Sequence, residues 1–193
     1  MHNIEPFYNW KDIYSAEEDE LSPFYKRTYS EFEFTNTIYN YFIHPQWDDI
    51  SSSTLFVKIL FVDYANHFAV IELMGEWNDA IHNDIMILKR EVIDVMLEHK
   101  INRFMLIGEN VLNFHASDDC YYEEWYEEIS DEGGWIAAVN FRKHVFDEMR
   151  TVHLEHYLYM GEKFLDLNWR TVKPQFLPEL IEGILLKRLM PGE

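Results

Sequence analysis

Residues 55–74 read LFVKILFVDYANHFAVIELM. Leu55 to Val62 and Phe68 to Met74 are rich in β-branched and large apolar side chains, and Asp63 to His67 between them is a polar five-residue loop. That pattern predicts a β-hairpin. A symmetric register sets Val62 opposite Phe68 and Lys58 opposite Glu72. Those are the only two charged residues inside the strands, and cross-strand pairing of opposite charges favours this alignment. Outward from the hairpin, the chain alternates helical and strand periodicities. Ile81, Ile85, Leu88, Val92 and Val95 recur at helical spacing, with Met86, Ile93 and Leu97 widening the stripe, so a helix is expected from Asp79 to His99. Phe104 to Ile107 is a continuous apolar run, as in a strand buried on both faces. Tyr122, Trp125, Tyr126 and Ile129 mark a second helix, whose other face carries Glu123, Glu124, Glu127 and Glu128.

After Gly133 and Gly134, Trp135 to Val139 is another buried strand. Arg142 to Arg150 reads as a helix and His156 to Met160 as a last strand. Pro178 suits the first turn of a closing helix with Leu180, Ile181, Ile184, Leu185 and Leu189 on its apolar face. The order β-β-α-β-α-β-α-β-α predicts an α/β fold with a mixed, mostly parallel sheet. The hairpin would be its antiparallel part, and right-handed crossovers would join the remaining strands.

The chain has 193 residues with 16 Lys+Arg against 35 Asp+Glu, a formal charge of −19. A phosphate backbone rewards a basic stripe, and here no basic cluster exceeds a pair, so nucleic acid is excluded as the main partner. Anionic membrane surfaces are disfavoured for the same reason. No stretch of about 18 apolar residues predicts a membrane span. Met1 to Pro6 lacks a basic segment leading into an apolar one, so no secretory leader is expected. Cys120 is the single cysteine, which forbids an internal disulfide and suits a reducing, cytoplasmic compartment.

Residues 1–54 form an expected N-terminal arm, and residues 55–193 the α/β domain with a C-terminal helical extension. The arm holds Phe7, Tyr8, Trp10, Tyr14, Phe24, Tyr25 and further aromatics up to Trp47, too many for a solvated tail. Tyr29 to Phe34 alternates as an edge strand would, Ile38 to Ile43 reads as a second strand, and Glu17 to Glu20 as an exposed acidic loop. Packing against the core is the first role of these aromatics. A partner-binding surface is the second, which leaves a homodimer open.

Three short stretches bear on function. Met74-Gly75-Glu76-Trp77 closes the hairpin strand before a helix. Val111-Leu112-Asn113-Phe114-His115-Ala116-Ser117-Asp118-Asp119 leads from a strand into the next helix. Gly133-Gly134 precedes a strand. Together they make residues 55–160 similar to the STAS-like (anti-sigma-factor antagonist) family. The resemblance implies a non-enzymatic regulatory module that binds a protein partner and needs no cofactor. It also places Ser117 where many members of that family are phosphorylated. Ala116, Asp118 and Asp119 depart from the family's turn, standing for an acid, a second serine and a glycine.

Read on their own chemistry, Ser117, Asp118 and Asp119 are helix-capping residues, since side-chain oxygens accept from free backbone N–H groups and acids suit the helix dipole. A regulatory Ser117, or a turn held permanently anionic by Asp118 and Asp119, are the other readings. Glu76, Trp77, Asn78 and Asp79 link a strand end to a helix start, where ligand sites of α/β sheets gather. In the bland version Asn78 or Asp79 caps and Trp77 packs on the surface. If the two turns share a rim, Trp77, Asn78, Asp79, Glu109, Asn110, Asn113, His115 and Ser117 line one polar cleft. The alternative function is a small metal-dependent or acid/base hydrolase, built from His115, Asp118 and Asp119 with Glu76 or Asp79. His153 and His156, placed on a strand, would point to opposite faces. Cys120 is expected to be buried or half-buried rather than a nucleophile, because neighbouring carboxylates disfavour the thiolate.

Overall fold

The structure is a computed structural model that describes residues 4–30 and 32–189. Its sheet is mixed, five-stranded and in sequential order: β3 (Asp48–Asp49), β4 (Leu55–Asp63), β5 (Phe68–Asn78), β6 (Arg103–His115) and β7 (Trp135–Val139). The pairs β3–β4 and β4–β5 are antiparallel, and β5–β6 and β6–β7 are parallel. A separate two-stranded hairpin, β1 (Thr37–Ile38) with β2 (Tyr41–Phe42), stands before it. The α/β class and the initial antiparallel hairpin are as the sequence predicts.

Lys58 does lie opposite Glu72, by a route the loop length conceals. The turn holds four residues, because Asp63 pairs with Phe68. Asp63 shapes it, its Oδ1 accepting from the backbone N–H groups of Ala65 and Asn66, both at 3.0 Å. Left alone, that pairing would offset every residue upstream by one. A bulge at Leu60 absorbs the difference, so Ile59 meets Ile71 and the expected register resumes. Leu60 and Phe61 consequently both join the apolar cluster on one sheet face, while Ile59 and Val62 join the cluster on the other.

Both faces are covered. On one, Leu55, Val57, Ile71, Leu73, Phe104 and Leu106 pack against Ile85, Leu88, Val92 and Met96, against Trp125 and Ile129 of α4 (Cys120–Ser130), and against Val145, Phe146 and Met149 of α5 (Lys143–Thr151). On the other, Phe68, Val70, Met105, Ile107 and Val139 meet Trp10 from the start of the chain, Phe164 and Trp169, and Leu177 and Ile181 of α6 (Leu177–Leu189). This double cover explains why β6 and β7 read as unbroken apolar runs.

Four expected elements differ. The helix from Asp79 to His99 is broken into α1 (Asp79–His82), α2 (Asp84–Leu88), a π turn (Lys89–Ile93) and α3 (Asp94–Glu98). Asn83 takes a left-handed conformation, φ 53°, and ends α1, a role Asn tolerates better than most residues. Tyr29 to Phe34 forms no strand among its described residues; it meets the edge strand β3 through side chains, Tyr29 donating to Asp48 and Gln46 to the Ser30 carbonyl, and not through a backbone ladder. Ile38 to Ile43 shrinks to β1 and β2 around Tyr39, itself at φ 53°. His156 to Met160 reduces to a single parallel bridge, Tyr159 to Ala137, since a short helical turn, Leu154–His156, occupies the preceding residues. In that turn residues three apart eclipse, so the rings of His153 and His156 stack at 5.6 Å instead of facing apart. The side chain of Leu189 lies outside the described residues.

Candidate functional site

The parallel strands β5 and β6 end side by side, with Trp77 opposite Phe114 and Asn78 opposite His115. The turns that leave them therefore share one rim. Beneath it lies a polar knot. Asp79 accepts from the indole Nε1–H of Trp77 at 3.0 Å, the backbone N–H of Ile85 at 2.8 Å and the Tyr122 hydroxyl at 2.7 Å. Asp84 accepts from the backbone N–H of Asn78 at 2.7 Å and the Thr54 hydroxyl at 3.3 Å. Asn78 supplies the cap of α1, its side-chain oxygen accepting from Ile81 N–H at 3.0 Å. Both carboxylates are buried. Burial lifts the Asp79 carboxyl to about 6 against the pull of its three donors. Burial, joined by Asp79, holds the Tyr122 hydroxyl well above its ordinary range. Because Tyr122 belongs to α4 and Asp79 to the turn after β5, the knot locks the two turns together from below.

Above the knot the side chains are free to meet solvent. Ile81 is 78% exposed, and His115, Ser117, Asp118 and Cys120 are exposed as well. Asp118 accepts from the backbone N–H of Cys120 at 3.3 Å, and the thiol and backbone of Cys120 hold its carboxyl below the usual range. The Cys120 thiol is pushed up, chiefly by its hydrogen bond to Asp118. Asp119 stands at the N-cap position of α4 but makes no side-chain cap bond; it accepts from the Tyr157 hydroxyl at 3.0 Å.

The eight-residue polar cleft does not form. Trp77 is fully buried, stacked on Tyr122 with centroids 6.1 Å apart, and not on the surface. Glu76 and Asn113 lie on the opposite sheet face from Asp79. There Glu76 accepts from Asn113 at 2.9 Å and from the hydroxyl of Tyr39, whose β1–β2 hairpin folds over it. Burial pushes the Glu76 carboxyl up, and these two bonds outweigh it, leaving it below its ordinary value. Glu109 turns towards the C-terminal segment, accepting from Trp169 at 2.9 Å, Asn140 at 2.8 Å and the Arg170 guanidinium at 2.6 Å. Asn110 donates to Glu72 at 3.3 Å. Alternation along each strand, reset by shifts between Glu72 and Met74 and between Gly75 and Glu76, parts these residues. Of the expected site, Asn78, His115, Ser117 and Asp118 share the rim, Trp77 and Asp79 lie beneath it, and Glu76 sits behind it.

Other expectations also change. Cys120 is exposed, not buried. Asp19 in the acidic loop is engaged by the Tyr14 hydroxyl at 2.8 Å and also by that of Tyr64. Of the acids on α4, Glu124 takes both terminal nitrogens of Arg90, and Glu128 accepts from the wholly buried Lys89 at 2.6 Å, so this half of the acidic face binds the broken helix. Among the described residues no three His, Cys, Asp or Glu side chains are grouped to hold a metal ion. No helix among them is long and apolar enough to cross a membrane. Tyr122, Thr54 and Asp84 are essential to the knot, yet nothing in the sequence marks them as more than core or capping residues.

No family description and no curated protein matches the chain. Among solved structures it is similar to a Thermotoga maritima protein described as an anti-sigma factor antagonist, at 19% identity over 55% of this chain and 87% of that one, with a TM-score of 0.40. It is also similar to the anti-sigma factor antagonist SpoIIAA in its unphosphorylated form, at 12% identity over 66% and 96%, with a TM-score of 0.44. The Bacillus cell-fate determinant SpoIIAA in its phosphorylated form matches at 14% identity over 55% and 93%, with a TM-score of 0.38.

Proposed function

We propose that this chain is a cytoplasmic regulatory module that binds a protein partner at the rim where β5 and β6 end. One observation carries the reading. Two adjacent turns, tied from beneath by the Asp79–Tyr122 bond, expose Ile81 on one and Ser117 and Asp118 on the other, with His115 at the strand end between them. A pre-ordered surface loses little freedom on association. An apolar centre with an acidic surround fits a partner whose contact is apolar with a basic rim. The resemblance of residues 55–160 to STAS-like modules supports a regulatory role. Ser117, whose hydroxyl bonds to no other described residue, is the position at which a modification would be read. Exposed Phe32 and Tyr39 of the arm support self-association as a secondary mode.

Cross-linked partners recovered with wild type, Ile81→Asp, Ser117→Arg and the distant control Lys163→Ala test the rim. A partner retained by wild type and control and lost by both rim variants, all four folded, is the expected result. Equal recovery by all four rejects the rim. Calorimetric titration with a divalent cation tests the hydrolase reading. Stoichiometric uptake abolished by joint Asp118→Asn and Asp119→Asn replacement would turn the assignment towards a metal-dependent enzyme.

A further inference from the structure

On the sheet face opposite α4 and α5, α6 buries Leu177 and Ile181 in the cluster that holds Phe68, Val70 and Trp135. A surface helix covering a core on one side ordinarily turns polar residues outward on the other. α6 does not. Leu186 is 64% exposed, Leu180 and Ile184 are half-buried, and Phe176, just before the helix, is 51% exposed. In the middle of the helix stands Gly183. Glycine is a poor helix former, and nothing within the chain asks for it here: a Cβ at this position would meet no atom within 4 Å. What a glycine on an open helix face does permit is the close approach of another backbone.

Exposed Glu179, Gly183 and exposed Leu186 recur at i, i+4 and i+7, so they share one face of α6, with positions 180 and 187 beside them. Reversed end for end, this face complements itself. Three residues to either side of Gly183 stand Leu180 and Leu186, and four to either side stand Glu179 and Lys187. In an antiparallel pair of such helices crossing at Gly183, leucine comes opposite leucine and acid opposite base. A parallel pair would set Glu179 beside Glu179 and Lys187 beside Lys187, and like charges repel.

We propose that the outer face of α6 binds α6 of a second copy of this chain, antiparallel, with a two-fold axis at Gly183. A two-fold contact requires a patch that is its own complement, and charge complementarity fixes its orientation. Two helix segments of about 20 Å bury less than about 1,200 Å² in all, so the contact is weak and reversible. The net charge of −19 opposes the pairing of copies, but at 0.15 M salt that repulsion reaches only about 8 Å. The surface uses no residue of the rim, and neither Phe32 nor Tyr39 of the arm.

Sedimentation velocity of the full chain at about 0.15 M salt, from about 1 to 500 μM, reads the association. The expected result is a monomer–dimer equilibrium with a Kd of about 100 μM or tighter. Leu186→Glu and Gly183→Gln should each weaken it at least about tenfold. Gly183→Gln also replaces a poor helix former at an open position, so its melting temperature in dilute solution should be no lower than that of wild type. Glu179→Lys should weaken the dimer, and adding Lys187→Glu should restore it. Phe32→Ser on the arm should leave it unchanged. A wild type that stays monomeric throughout, a dimer untouched by folded Gly183→Gln and Leu186→Glu, a charge exchange that restores nothing, or a dimer abolished by Phe32→Ser would each overturn the proposal.

Discussion

Lys58 and Glu72 face each other across β4 and β5, yet each is held by a different partner. Lys58 pairs with Asp48 on the edge strand β3, and Glu72 accepts from the backbone N–H of Phe7 at 2.9 Å. The sheet thus turns two buried charges outward to the arm, which is fastened at Asp48 and at Phe7. An opposite-charge pair in the sequence set the alignment, and the fold then used each charge to dock a different segment.

Burial lifts the Glu72 carboxyl from 4.5 to about 7, with Glu109 adding to it and Phe7 N–H, Arg170 and Asn110 opposing. The folded state then holds this proton more tightly than the unfolded chain does. The contribution to stability is full below pH 4.5 and is lost as pH rises towards 7. The loss is at most about 3 kcal/mol. Glu72→Gln keeps an acceptor for Phe7 and removes the titration. Thermal unfolding between pH 5 and 8 should show wild type losing stability relative to the variant as pH rises. Parallel curves would refute the assignment.

Asp79→Ala should destabilise the protein by about 3 kcal/mol or more, because it strands the Tyr122 hydroxyl and the Trp77 N–H in the core. Denaturant unfolding gives the value. Tyr122→Phe, which removes one donor and keeps the ring, should cost less.

At Gly108 an added Cβ would lie 2.3 Å from ring carbons of Phe141. Gly108→Val should therefore cost about 1–3 kcal/mol through overpacking. A variant as stable as wild type would mean that Phe141 moves freely.

Tyr39→Phe removes one of the two bonds that hold the Glu76 carboxyl low. Carbon-13 NMR titration of that carboxyl should find it shifted upward, with Asn113 as its remaining donor.

Where local periodicity decides an element, the sequence is legible. Trp135–Val139 forms as read, α4 spans the four residues that mark it, and α5 lies within a residue of its expected ends. Legibility stops where a long-range partner decides. The apolar stripe from Ile81 to Val95 runs straight through the left-handed Asn83, so the break leaves no mark in the periodicity. Tyr29 to Phe34 alternates well, yet its described residues meet β3 through side chains and build no ladder. The polar cleft depended on which side each strand residue faces, and the shifts between Glu72 and Met74 and between Gly75 and Glu76 reset that parity. The Asp79–Tyr122 bond joins residues 43 apart, and neither residue type announces the other.

The extra residue at Leu60 has an evolutionary corollary. Loss of one codon between Lys58 and Val62 would be absorbed there, since the ladder on either side already has its proper phase. Loss of one codon upstream, at Val57 for example, would invert the start of the strand, sending Phe56 towards the helices. Within the strands of this hairpin, Leu60 is thus the joint at which a one-residue deletion leaves every other side chain on its own face.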